Sequence, residues 1–263
     1  MPSANKLVMI AMLPLLLAGC AAVQSVPTPE EKHALAPTGK LRVCLYLGGP
    51  TNALKDPGSG EIKGVGFELG QALAQRMKVP YEPVIHPTPR AVVEAISSGG
   101  CDVTFIAQDP DREKIMDFTA VYMSIEHGFL VPSGSPISTM AEVDRPQIRV
   151  GVPAGGSVIP PLKRTLKNAE IVGSSMAGAA ELLRSGQVDV FAANKANLFE
   201  ISDKVPGSRV LDGRFSVDRF ALGVPKGRDP GLTYVRKFIE DAKSEGLVDA
   251  AIKRAGVRGT IKE

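Results

Sequence analysis

Residues 101–132 read CDVTFIAQDPDREKIMDFTAVYMSIEHGFLVP, and this stretch decides the fold. Val103 to Ala107 is an apolar, partly β-branched run of the kind that forms a buried strand. A polar turn follows, Gln108-Asp109-Pro110-Asp111-Arg112, then Ile115-Met116-Asp117-Phe118 and Tyr122. A second apolar run, from Phe129 to Val131, ends at Pro132. Arg112 therefore stands just past the end of a buried strand. In open α/β sheets ligands sit there, outside the carboxyl ends of the strands. A planar guanidinium suits a carboxylate held by two parallel hydrogen bonds. Spacing alone leaves a second reading open, in which Arg112 only pairs with Asp109 or Asp111 at the surface.

Working outward, strands and helices alternate. Strands are expected at 41–47, 81–85, 149–152, 171–172, 188–193 and 220–224. Thr88 caps a helix with Pro89 at its first position, and Gly99-Gly100 stop it. A helix starting at Gly64-Val65-Gly66-Phe67-Glu68 puts Leu69, Ala72, Leu73 and Met77 on one face. The Gly-rich turn Pro153-Ala154-Gly155-Gly156-Ser157 opens another, running to about Asn168. Asp229-Pro230 starts the longest amphipathic helix, with Leu232, Val235, Phe238, Ile239 and Ala242 on one face. Alternation of this kind predicts a parallel sheet, here in two units. No internal repeat stands out.

Apolar residues make up 44% of the chain and charged ones 22%, which excludes a disordered protein. The net charge of +3 is small and scattered and gives no footprint for nucleic acid. Trp is absent, so aromatic platforms for bases or sugars are scarce. The start of the chain reads as a targeting segment: Lys6, then an apolar run over residues 7–18, then Leu17-Ala18-Gly19-Cys20. That tetrapeptide matches the bacterial lipobox, whose cysteine is lipidated. Residues 1–19 are then a lipoprotein signal peptide, and residues 20–39, with Pro27, Pro29 and Pro37, a tether. Cys44 and Cys101 fall at or near core strands, and free buried thiols are expected over a disulfide.

The segment around Arg112 resembles the signature of the family 3 extracellular solute-binding proteins. The likeness runs over residues 40–257 and rests on Arg112, Phe118 and Tyr122, with the Gly-Phe-acid entry at Gly66-Phe67-Glu68. It implies an α/β, periplasmic-binding-protein-like fold of type II, with two lobes joined by two crossings. Residues 40–129 and 225–263 make the first lobe and residues 130–224 the second. The implied protein is a monomer that captures a small carboxylate-bearing solute. It hands the solute to an ABC transporter permease from the periplasmic side, held to the membrane by lipid on Cys20.

The resemblance also assigns a site. Arg112 grips the carboxylate, and Gly156 and Ser157 help through a helix N-terminus. Asn194 occupies the position of an aspartate that pairs with the α-ammonium in amino-acid binders. Ala107 replaces a Ser or Thr that contacts the ligand, and Asn52 a Phe that stacks on it. Neutral contacts from Asn194 and Asn52 are therefore expected, unless Glu68, Asp109 or Asp218 supplies the missing charge. Asn194 and Ser157 also read as plain helix caps. His33, His86 and His127 are scattered, so neither metal nor cofactor is expected. A cyclohexadienyl-dehydratase-like enzyme and a ligand sensor for a separate signalling partner are the alternatives that share this architecture.

Overall fold

The computed structural model describes residues 26–56 and 58–261. The signal-peptide and lipidation readings, Cys20 included, lie outside the described residues. The first element corrects the tether reading. Pro29–Leu35 forms helix α1. Thr28 Oγ1 accepts from the Glu31 N–H, and the Glu31 carboxylate accepts from the Thr28 N–H. This reciprocal cap satisfies two donors that would otherwise lack partners, and Pro29 sits at the first helical position, where its missing N–H costs nothing.

The chain continues through β1 (Leu41–Tyr46), the short β2 (Leu54–Lys55) and β3 (Ile62–Lys63), and α2 (Val65–Met77). Next come β4 (Tyr81–His86), α3 (Pro89–Ser97), β5 (Val103–Ala107), β6 (Met116–Phe118) and the long β7 (Met123–Val131). The second half holds β8 (Arg149–Pro153), α4 (Ile159–Thr165), β9 (Glu170–Ser174), α5 (Ala179–Arg184), β10 (Val190–Asn194) and α6 (Lys195–Ser202). The chain returns through β11 (Arg209–Val210) and the long β12 (Ser216–Pro225) to α7 (Asp229–Ser244), α8 (Leu247–Arg254) and β13 (Thr260–Ile261).

The sheet runs in the order β4-β1-β5-β12-β7-β10-β8-β9. The outer trios, β4-β1-β5 and β10-β8-β9, are parallel. The alternation of strand and helix predicts this. The central strands β12 and β7 are antiparallel to each other and to their flanking trios. They are the two crossings, and because they pair with each other the hydrogen-bonded ladder is unbroken from one half to the other.

The apolar side chains nevertheless form separate cores. In β1, Leu41, Val43 and Leu45 face the core under α2, α7 and α8, while Cys44 and Tyr46 face the one under α3. In β10, Val190 and Ala192 face one second-half core, and Phe191 and Ala193 the other. Both follow from the two-residue period of a strand covered on each face. Along β7, Ile125 belongs to the first half and Phe129 to the second; along β12, Phe220, Leu222 and Val224 belong to the first. The cores thus change over a few residues before Leu130 and Val224. The changeover carries polar residues, Glu126 and His127 on β7 and Asp218 and Arg219 on β12, while the apolar runs that read as strand ends in the sequence lie beyond it.

Two expectations need correction. Cys44 and Cys101 form a disulfide, with Cα atoms 5.6 Å apart. Both are fully buried, but the pairing of Val43 with Val103 brings the two sulfurs together. The halves also repeat. LRVCLYLGG at 41–49 matches IRVGVPAGG at 148–156, and GGCDVTFIA at 99–107 overlays GQVDVFAAN at 186–194. In each half an arginine opening the central strand clips the aspartate just before its neighbour. Arg42 donates from its backbone N–H and Nε to Asp102 Oδ2 and from Nη2 to Oδ1. Arg149 makes the same three bonds to Asp189.

Candidate functional site

The repeat aims the carboxyl ends of both parallel trios at one another across the crossing strands. Between them lies a cavity of about 30 Å³, lined by residues that include Tyr46, Ala107, Arg112, His127, Ser157, Asn194 and Asp218. That is room for roughly two waters.

Arg112 is buried on the short 3-10 turn that follows β5. The pairing with Asp109 is present, but inside the protein rather than at the surface. Arg112 Nε lies 2.9 Å from Asp109 Oδ2, and Nη1 donates to the Ala107 carbonyl at 2.6 Å. Nη2 reaches across to the second half and donates to the Gly155 carbonyl at 2.9 Å. Asp111 pairs instead with Lys114 at the surface. Each terminal nitrogen of Arg112 keeps a further N–H for an incoming anion.

Asp218 on β12 is the acid of the cavity. Ser157 Oγ donates to its Oδ1 at 2.5 Å, and Asn194 Nδ2 to its Oδ2 at 3.1 Å. His127 on β7 places Nε2 3.0 Å from Oδ1, an ion-pair approach without hydrogen-bond alignment. Burial alone would raise the Asp218 carboxyl. The charge of His127, with the Ser157 and Asn194 donors, outweighs it and holds the carboxyl below the usual range. Burial, then the charge of Asp218, pushes the Tyr46 hydroxyl up to about 12, so it stays a neutral donor.

The structure sorts the expected site residues. Arg112, Ala107, Gly156, Ser157 and Asn194 line the cavity. Asn52 does not: its Oδ1 accepts from the Tyr46 N–H and its Nδ2 donates to the Phe105 carbonyl, so both ends are spent on the backbone. Asn194 lines the cavity and also caps α6, its Oδ1 accepting from the Asn197 N–H at 3.1 Å. Ser157 is not a cap. The helix after it starts at Ile159, behind Val158, and is shorter than its sequence suggests. Pro160 and Pro161 remove two of the N–H groups that a helix N-terminus offers an anion. Of the three acids named above, Glu68 pairs with Arg254 at the surface and Asp109 holds Arg112; only Asp218 faces the cavity. His127 was missed as a site residue, for only strand pairing sets it beside Asp218.

Glycines form the seam where the halves meet. A Cβ on Gly48 would lie 2.9 Å from Met176 of the second half, and one on Gly155 2.6 Å from Arg90 Cβ of the first. Gly49 likewise abuts the Asn197 side chain.

A cleft between two α/β halves, with a buried arginine on one side and an acid on the crossing, defines a solute receptor. The chain belongs to the bacterial extracellular solute-binding proteins, family 3, whose model matches residues 41–256. It is 23% identical to the ABC transporter glutamine-binding protein GlnH of Bacillus subtilis (strain 168) over 208 residues, 76% of this chain and 75% of that protein. The solved receptor for L-cysteine of Neisseria gonorrhoeae superposes with a TM-score of 0.77 at 22% identity, covering 88% of this chain and 99% of that one. An ancestral amino acid-binding protein, a precursor of cyclohexadienyl dehydratase, gives 0.74 at 23% identity over 85% of this chain and 98% of that one. The fold is that of the type II periplasmic binding proteins.

Proposed function

We propose that this protein captures a small α-amino acid between its two halves, acting as lobes, and presents it to the permease of an ABC importer. The observation that carries this reading is a buried cation and a buried anion lining one cavity. Arg112 takes the carboxylate, assisted by the turn at Gly156. Asp218 takes the α-ammonium and so replaces the charge that Asn194 lacks. The solute displaces the bond from Arg112 to Gly155, and both lobes then close on it along the glycine seam. Only two strands cross between the lobes, which suits a hinge motion. On this reading the protein works on the periplasmic side, held by lipid on Cys20.

Isothermal titration with amino acids and with matching acids that lack the amino group tests the proposal. Charge-assisted bonds contribute about 1.5–3 kcal/mol, so Arg112→Ala should weaken binding roughly tenfold to a hundredfold. Asp218→Asn should erase the preference for the amino acid over its matching acid. Asn194→Asp should weaken binding too, because it sets a second carboxylate against Asp218. Tight amino-acid binding that survives Asp218→Asn would overturn the assignment. Turnover of arogenate or prephenate would favour an enzyme instead.

A further inference from the structure

We infer that His127 determines whether the cavity prefers an ammonium-bearing solute, through its own protonation. The inference rests on the cavity being the solute site. His127 and Asp218 are both almost fully buried, and Nε2 approaches Oδ1 at 3.0 Å. The other ring nitrogen, Nδ1, is buried with no hydrogen-bond partner among the described residues. Buried polar atoms without partners are rare and call for a reason. Phe215 stacks on the ring at 5.6 Å and keeps water from that face.

The charge balance follows from who else is near. Arg112 shares the cavity and stays cationic at any ordinary pH. Tyr46 shares it and stays neutral. Behind β7, Glu126 is already paired with Lys195 and Arg214. Among the described residues, Asp218 is therefore the one carboxylate that lines the cavity beside the ring. With His127 neutral, the negative charge of Asp218 is left to an arriving ammonium. With His127 protonated, the two side chains neutralise each other, and the cavity keeps only the positive charge of Arg112. Lower pH then favours a plain carboxylate, and higher pH a zwitterion. His127 and Asp218 sit on the two crossing strands, which pair across Ser216 to Phe220 and Met123 to His127. The pair therefore belongs to the hinge and is set before any solute binds.

The test compares matched solutes on the full chain by titration calorimetry between about pH 5 and 8, the range in which an imidazole changes charge. The pairs are L-glutamine with 4-carbamoylbutanoate, and L-cysteine with 3-mercaptopropionate. The ratio of affinities, amino acid over acid, should climb tenfold or more with rising pH. His127→Gln should hold that ratio flat at its high-pH level. A flat ratio in the parent, or a slope that survives His127→Gln, overturns the inference while leaving the solute site standing. If no member of either pair binds at any pH, the solute-site reading falls and this inference with it. A second variant keeps the inference testable where His127→Gln fails to fold: His127→Asn should hold the ratio flat as well, and a slope that survives in it overturns the inference.

Discussion

The clip between Arg42 and Asp102 in the first half and that between Arg149 and Asp189 in the second use the same three bonds in different surroundings. Asp102 is fully buried, and Arg228, arriving from beyond β12, adds a second guanidinium to it at 3.1 Å. Asp189 has one arginine, and both side chains of that pair are about a third exposed. The neighbouring positions differ as well. Cys44 and Cys101 are bonded in the first half. Their counterparts, Gly151 and Val188, merely pack, a Cβ on Gly151 lying 3.2 Å from Val188. The first half, which receives both chain crossings and α7, is covalently and electrostatically stapled. The second half lacks the covalent link and keeps a single, partly exposed clip, so in the proposed closure it is the more compliant partner.

The widest break in this contrast is expected from removing the disulfide, which closes a sequence separation of 57 residues. Cys44→Ala with Cys101→Ala should cost about 3–4 kcal/mol, read as a lower denaturant midpoint that reductant no longer shifts. A parent protein indifferent to reductant would remove the covalent half of the comparison. Next comes Asp102→Ala, which leaves two guanidinium groups without their buried anion and should cost about 3 kcal/mol. Asp189→Ala should lower the melting temperature by clearly less, because water already screens that pair. Equal losses from the two variants would show that the clips do the same work.

The smallest effect concerns the second half alone. Glu142 accepts from the backbone and hydroxyl of Ser138 and from the Thr139 N–H, which lowers its carboxyl from 4.5 to about 2. A carboxyl lowered by folding contributes fully above its ordinary value and loses that contribution as pH falls through the folded one. Amide exchange over residues 138–143 should therefore accelerate as pH drops from 4.5 to about 2, relative to the intrinsic rate. Protection unchanged across that range would place the cap elsewhere.

Arg112 was legible in the sequence because an apolar run, a polar turn and a guanidinium suffice to place a charge at the end of a buried strand. Asp218 was legible only as a candidate. It lies in an apolar-polar alternation like any strand residue, and antiparallel pairing with β7 is what turns it beside His127. The disulfide was hidden because burial suits thiols and bridges equally, and only register separates them. The repeat was hidden because few residues carry it: an Arg-Val pair, an Asp-Val pair and three glycines. The cap of α1 was visible, with Thr28 three residues before Glu31, but the prolines around it read as a linker.

Helix α1 is seated on α7 by Leu35, which is fully buried, by Gly231, where a Cβ would meet Leu35 at 2.8 Å, and by Arg228, which donates to the Ala34 carbonyl. A load applied ahead of Thr28 is therefore delivered to the first half, and its route along the chain into the second runs through β7 and β12. In the proposed closure, the first half is then the mount and the second the swinging arm. Whatever holds the protein from that end fixes the position of Arg112 and leaves Ser157 and Asn194 to travel.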